Sequence, residues 1–348
     1  MELATDPVFG GLARDEYERI RRELTGYCYR MLGSLFDADD AVQETMIRAW
    51  RSIDRFEGRS AVRTWLHRIA TNVCIDMLRG RSRRAVPMDF GPATSGRATD
   101  PGPPLPEHEW ILPAPDGRIL ADSADPAQLA ASRESVRLAF IAALQRLPAR
   151  QRAVLILREV LSFSAAETAE LLDTTVASAN SALQRARASM SAIPGPAGRD
   201  GEDGKAGRDG DGDGGLIGIG SVEQLTDADQ KELLEGYVDA FERYDMERLT
   251  ALLREDALQS MPPYPIWLNG ADEIVAWMLG TGSGCRGSRL LPFRANGSPA
   301  FAQYRSDGHG GYTAWALQVV ETDGRRISEI HAFVFPELFE RYGFPPTL

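Results

Sequence analysis

The chain has 348 residues, with 39 Lys and Arg against 50 Asp and Glu and a net charge of −11. This length predicts two or three domains. No apolar run approaches the roughly 18 residues that cross a bilayer, and the start, Met1 to Asp6, shows no basic stretch leading into an apolar one. A secreted or membrane protein is therefore not expected, and the expected location is the cytoplasm. Cys28, Cys74 and Cys285 lie far apart without a CxxC pair, so neither disulfides nor a Cys/His zinc cage is predicted, and no metal or cofactor is expected.

The charge is unevenly spread: +2 over residues 1–84, −5 over 85–126, +3 over 127–190, −3 over 191–220 and −8 over 221–348. Two mildly basic segments alternate with acidic ones, and nearly all the positive charge is Arg, the side chain suited to bidentate phosphate contacts.

From Arg14 to Arg84 the periodicity is helical. A first helix carries Tyr17, Ile20, Leu24, Tyr27 and Met31. A second follows Asp37, with Val42, Thr45, Met46, Ala49 and Trp50 as its apolar face and Asp39, Asp40, Gln43, Glu44, Ile47, Arg48 and Arg51 outward. A third begins near Ser60 and ends in the Arg-rich run Arg79 to Arg84. Residues 85–126 are rich in Pro, Gly and Asp and read as an extended connector with one apolar island, Trp110-Ile111-Leu112. Helical periodicity resumes to about Met190, broken at Leu147-Pro148, Ser162-Phe163-Ser164 and Leu172 to Thr175.

Between Gly195 and Gly210 a glycine recurs every third residue. The run resembles collagen triplets, but few prolines and a short length favour a flexible charged linker. Asp209, Asp211 and Asp213 imitate the start of a calcium loop, but Gly220 stands where the bidentate Glu belongs. The last third opens with helices near Leu233 to Phe241 and Met246 to Leu253. Strand-like segments at Ala300–Tyr304, Thr313–Val320 and Arg326–Phe335 follow, a small α+β domain with one concave face.

Two constellations carry chemistry. Ser164 to Leu172, a turn at Asp173-Thr174-Thr175, and Val176 to Arg187 have helix-turn-helix spacing. Ala166, Ala169, Leu171 and Leu172 pack the first helix; Val176, Ala179 and Leu183 seat the second. Ser178, Asn180, Ser181, Gln184, Arg185 and Arg187 are offered to a groove, where amides read adenine and arginines read guanine or grip phosphate. A plain helical hairpin is the alternative. In the second constellation Arg59, Arg63, Arg68, Arg79, Arg81, Arg83 and Arg84 face the single acid Asp76 and interleave with Phe56, Trp65 and His67. Arginines beside aromatics suit opened DNA, whose unstacked bases need flat partners. A solvated Arg-rich face with Trp65 in the core is the alternative.

Asp37 to Trp50, Phe56-Glu57-Gly58-Arg59-Ser60 and Arg63 to Arg79 together resemble region two of sigma-70 family RNA polymerase sigma factors of the extracytoplasmic-function type. Leu147-Pro148-Ala149-Arg150-Gln151-Arg152 with the helix-turn-helix resembles region four, the whole likeness covering about residues 12–190. It implies a multidomain fold: all-α region 2 at 12–84, a connector at 85–126, all-α region 4 at 127–190, a linker at 191–220 and an α+β SnoaL-like cone at 221–345. It implies core RNA polymerase as partner, through its β′ clamp helices and β flap, and promoter DNA. Asp39, Asp40, Gln43, Glu44 and Arg48 would meet the clamp helices. Arg59, Arg63, Arg68, Asn72, Asp76, Arg79, Arg81, Arg83 and Arg84 would hold and melt the minus-ten element. Thr174, Thr175, Ser178, Asn180, Ser181, Gln184, Arg185 and Arg187 would read the minus-thirty-five element. The acidic connector would run toward the RNA exit path. Trp110-Ile111-Leu112-Pro113 and Ser260-Met261-Pro262-Pro263 resemble the subgroup with the mycobacterial SigG-type factors. Asn180 and Ala182 stand where many members have Lys and Arg, so a promoter sequence does not carry over.

In the C-terminal domain Tyr264, Trp267, Tyr312 and His331, with His309, are candidate pocket residues. No motif fixes an acid–base pair there, so regulation is expected rather than catalysis. The acidic domain would dock on the basic modules within the same chain and adjust polymerase or DNA binding. Two other readings are a SnoaL-like small-molecule enzyme fused to a DNA-binding module and a one-component repressor. The acidic helix Asp39–Trp50 argues against the repressor, which needs no clamp-helix contact.

Overall fold

The computed structural model describes residues 14–53, 61–98, 100–120, 125–192 and 227–348. Phe56, Arg59, Ser60 and the triplet glycines lie outside the described residues. The N-terminal module is a three-helix unit of α1 (Arg14–Leu32), α2 (Leu35–Arg51) and α3 (Val62–Leu78). Asp15 and Glu16 open α1 and Arg30 closes it, each sign matched to the helix dipole. Gly33, at φ 73°, turns the chain, and the Ser34 hydroxyl then accepts from the Asp37 amide, so α2 begins two residues before Asp37. The buried face of α2 is Leu35, Ala38, Ala41, Val42, Thr45 and Ala49. Trp50, expected on that face, is 57% exposed, because it follows Ala49 by the 100° that one helical step turns.

The connector is extended yet ordered. Ala85 and Trp110 form a parallel bridge, with the Ala85 amide donating to Glu109 O and the Ile111 amide to Ala85 O. Trp110, Ile111 and Leu112 are buried, and the short α4 (Asp116–Ile119) follows. The second helical module comprises α5 (Pro126–Glu134), α6 (Leu138–Gln145), α7 (Ala149–Leu155) with a π-type turn over Ile156–Val160, α8 (Ala165–Leu171) and α9 (Val176–Ser191). Pro148 stands at the start of α7, and Ser164 and Glu167 cap α8 reciprocally. Thr168 and Ala169 bury α8 while Ala166 is exposed, and Val176, expected to seat α9, is 43% exposed. As the first residue of α9 it lies a turn before Ala179, where the buried face begins.

The C-terminal domain starts with α10 (Asp227–Arg243) and α11 (Met246–Leu252). Its sheet contains β1 (Leu253–Ser260), β2 (Trp267–Asn269), β3 (Arg289–Ala295), β4 (Ser298–Ser306), β5 (Tyr312–Thr322) and β6 (Ile327–Phe333), in the order β2-β1-β6-β5-β4-β3. α12 (Ala271–Leu279) lies between β2 and β3, and α13 (Leu338–Arg341) ends the fold. All the strand pairs are antiparallel except β1 with β6. Tyr237, Phe241, Ile274 and Trp277 pack with Phe301, Val320 and Ile330 in a core on one face of the sheet. The opposite face, with Ala302, Leu317, Val319 and Phe333, belongs to a different cluster that continues through Trp110 and Leu112 into the two helical modules. The sheet is thus a wall with apolar packing on both sides.

Candidate nucleic-acid and polymerase interface

On α2, Asp40 and Gln43 are exposed, whereas Asp39 receives Arg118 of α4 at 2.8 and 3.0 Å. Arg48 pairs with Glu44 at 2.7 Å and reaches Asp76 of α3 at 3.4 Å, and the Glu44 bond raises the guanidinium pKa. Arg68, Asn72, Asp76 and Arg79 follow one another along an exposed stripe of α3, Asp76 also pairing with Arg79 at 3.1 Å.

The other arginines of this set are held within the chain. Arg63 donates to Glu23 at 2.6 Å and to Leu161 O at 3.2 Å, and lies 4.3 Å above the Phe163 ring, so the second module covers it. Arg81 pairs with Asp37 at 3.3 Å and Arg83 with Asp89 at 3.2 Å. Arg84, expected at a phosphate, is 8% exposed; it bonds Asp37 at 2.7 Å and the carbonyls of Glu107 and Trp110 at 3.1 and 2.6 Å. These contacts fasten the connector to α2. His67, expected near opened bases, is fully buried between Tyr27 and Phe163, and burial holds its pKa down to about 4. Trp65 is partly buried against the core.

In the helix-turn-helix, Asp173 takes φ 49° at the turn, the Thr174 amide donates to Ala169 O, and the Thr175 hydroxyl caps α9 by accepting from the Ser178 amide at 3.2 Å. Ser178, Asn180, Gln184 and Arg185 are exposed; Ser181 is half-buried and accepts from Arg185 at 2.8 Å. Arg187 is turned to Glu159 at 2.5 Å. Arg152, in the motif ahead of it, is buried, donates to Met31 O and to Gln145 at 2.7 Å, and has its pKa lowered by burial to about 10.

A model of sigma-70 region 2 matches residues 16–84, one of sigma-70 region 4 matches residues 137–190, and one of the SnoaL-like domain matches residues 234–330. The chain is 40% identical over 343 residues to the ECF RNA polymerase sigma factor SigG of Mycobacterium tuberculosis, covering 95% of this chain and 83% of SigG. The chain belongs to the ECF RNA polymerase sigma factors. It is a promoter-directing sigma factor that carries a C-terminal SnoaL-like domain. It is also 32% identical over 179 residues to the ECF sigma factor SigJ of Mycobacterium tuberculosis, spanning 51% of this chain and 50% of SigJ. The crystal structure of SigJ is alike in fold, with a TM-score of 0.55 at 20% identity over 96% of this chain and 100% of that one.

The junction of this sigma factor's modules rests on residues that sequence reasoning passed over. Asn296 and Gly297 form the β3–β4 turn at φ 55° and 74°. The buried Asn296 amide donates to Tyr29 Oη of α1 at 2.7 Å and to Val136 O of region 4 at 2.7 Å, and its Oδ1 accepts from the Ala114 amide of the connector at 2.8 Å. The Asp116 carboxylate accepts from the Gly297 amide at 2.7 Å, and a Cβ at Gly297 would lie 2.5 Å from Arg133 O. Tyr342 donates to Pro113 O, and Arg341 lies 4.1 Å over the Phe36 ring. Arg137 reaches Glu321 at 3.2 Å, the sign expected from the charge split, whereas Arg294 to Asp116 at 3.3 Å runs the other way. Hydrogen bonds and apolar packing, more than net charge, join the surfaces. An Asn-Gly pair between alternating segments is a strong hairpin signal and was available in the sequence.

The four expected pocket residues do not share a cavity. Trp267 donates to Gly91 O of the connector at 2.9 Å, and Tyr312, at the start of β5, lies under Arg289. Tyr264 is half-buried against the cone's core. His331 bonds Ser260 at 2.8 Å and Glu329 at 2.8 Å on the sheet face turned to region 4. His309 is exposed in the β4–β5 loop. The cavity on the concave face is lined instead by Tyr237, Gln259, Gln303 and Gln318 among apolar residues.

Proposed function

We propose that this sigma factor binds core RNA polymerase in the cytoplasm and directs promoter recognition, and that its SnoaL-like domain holds regions 2 and 4 together until polymerase or a signal releases them. The division into 12–84, 85–126, 127–190, 191–220 and 221–345 follows these roles. In the released state Asp39, Asp40, Gln43, Glu44 and Arg48 meet the β′ clamp helices. Arg68, Asn72 and Arg79, joined by Arg63 once Phe163 departs and by Arg59, Asp76, Arg81 and Arg83, engage the minus-ten element. The exposed face of α9, from Thr174 to Arg187, reads the minus-thirty-five element beside the β flap. Arg84 keeps a structural role. The C-terminal domain acts as a regulator, not as an enzyme.

The observation that carries the closed-state reading is the Asn296 side chain, which bonds region 2, the connector and region 4 at once. Losing such buried bonds costs about 1–3 kcal/mol, enough to move a closed-to-open equilibrium by about five- to 150-fold. Run-off transcription with core polymerase tests it. At limiting sigma factor, Asn296→Ala in the full chain is expected to raise initiation at least about fivefold, and a chain ending at Met190 to raise it further. Unchanged initiation with both proteins refutes autoregulation, and a fall would make the contact an assisting one.

A further inference from the structure

We infer that the cavity of the SnoaL-like domain binds an uncharged, mostly apolar small molecule bearing a carbonyl or hydroxyl group, which the Gln259 amide meets. Three buried glutamines line a space of about 50 Å³; one seated water takes roughly 10–15 Å³ of such space, so a small ring fits. Two of them satisfy each other. Tyr237 Oη donates to Gln318 Oε1 at 2.6 Å, Gln318 Nε2 donates to Gln303 Oε1 at 2.8 Å, and Gln303 Nε2 donates to Ser288 Oγ at 3.1 Å. Gln259 is only 7% exposed, yet among the described residues its amide has no hydrogen-bond partner. A buried amide without a partner opposes folding, and a ligand group in the cavity removes that penalty.

The lining also defines what is refused. None of its residues is Asp, Glu, His, Lys or Arg, so a charged ligand would lose its hydration with nothing to replace it. Burial pushes up the Tyr237 hydroxyl and the Cys285 thiol, leaving both neutral at physiological pH. The cavity therefore binds rather than turns over. The same sheet links it to the sigma modules. Gln318 and Ala332 pair on the cavity side of β5 and β6, while the neighbouring pair Leu317 and Phe333 faces the cluster shared with regions 2 and 4. A ligand that spreads the strands loosens that packing, a consequence that rests on the closed-state reading above.

The test uses the full chain and three probes of matched shape: cyclohexanone, cyclohexanecarboxylate and cyclohexylammonium. Saturation-transfer NMR is expected to show millimolar binding of cyclohexanone, in keeping with its few atoms, and none of either ion. Gln259→Leu keeps the volume, removes the amide and is expected to weaken cyclohexanone about fivefold. Absence of cyclohexanone binding, equal binding of an ion, or an unchanged affinity in Gln259→Leu overturns the proposal. Asn296→Ala separates the two readings, because it is expected to retain cyclohexanone binding. If it does so and initiation is unchanged, the cavity stands and the closed state falls. If it raises initiation while no probe binds, the reverse holds.

Discussion

His67 shows how one residue's surroundings override its type. Its imidazole sits between Tyr27 and Phe163, with Nδ1 2.8 Å from Arg63 O, and burial holds its pKa at about 4. The folded state therefore takes up a proton less readily than the unfolded chain, and stability falls as pH drops from about 6.5 toward 4. From about pH 7 to about pH 5 this one group is expected to remove about 2 kcal/mol. Urea unfolding at the two pH values, wild type against His67→Gln, measures it, and an equal slope in both proteins contradicts it. Arg84 is a second such case. Removing it leaves Asp37 and two carbonyls without their partner, so Arg84→Ala is expected to destabilise the fold by about 3 kcal/mol. Arg68→Ala and Arg79→Ala are expected to change stability by less than about 0.5 kcal/mol, yet weaken promoter binding. Composition placed all these arginines in one basic run, and burial then divided them into structural and available groups.

At the scale of elements, caps and periodicity made the helices legible. Pro148, Ser164 with Glu167, and Thr175 mark the starts of α7, α8 and α9. Ser164→Ala is expected to cost about 1 kcal/mol, read as a lowered unfolding midpoint, with a matching loss of duplex affinity if α8 orients α9. The strands divide differently. β4, β5 and β6 are rich in aromatic and β-branched residues and were visible. β1, Leu253–Ser260, is made of Leu, Arg, Glu, Asp and Gln and reads as a continuation of α11, its strand state coming from pairing with β2 and β6. The misplaced pocket residues have the same origin. His331 lies between Ile330 and Ala332 on β6, and adjacent strand residues face opposite sides, so a guess about which side is concave assigns every residue.

For the whole molecule, the C-terminal domain, connector and sigma regions share one apolar cluster, so their separation is a cooperative step rather than the swing of a tethered appendage. Gly297→Ala is expected to act like Asn296→Ala, since the methyl would lie 2.5 Å from Arg133 O at φ 74°. Hydrogen exchange checks it: the Leu112 and Ala114 amides, bonded to Gly33 O and Asn296 Oδ1, are expected to exchange faster in both variants. Unchanged protection there means that the hairpin tip does not control the junction. No described helix is long and apolar enough to cross a membrane.

The sequence alone determined the two helical modules, the α+β domain behind them and the membership in a sigma factor family. Those signals are local: caps, helical periodicity, turn residues and motif spacing that neighbouring positions carry together. Only the tertiary structure decided which arginines are free, where Trp50 points, which face of the sheet encloses the cavity and that the connector is packed. Each of these depends on partners distant in the chain, such as Arg63 with Phe163 and Asn296 with Tyr29, and on a sheet buried on both faces, where alternation no longer tells inside from outside.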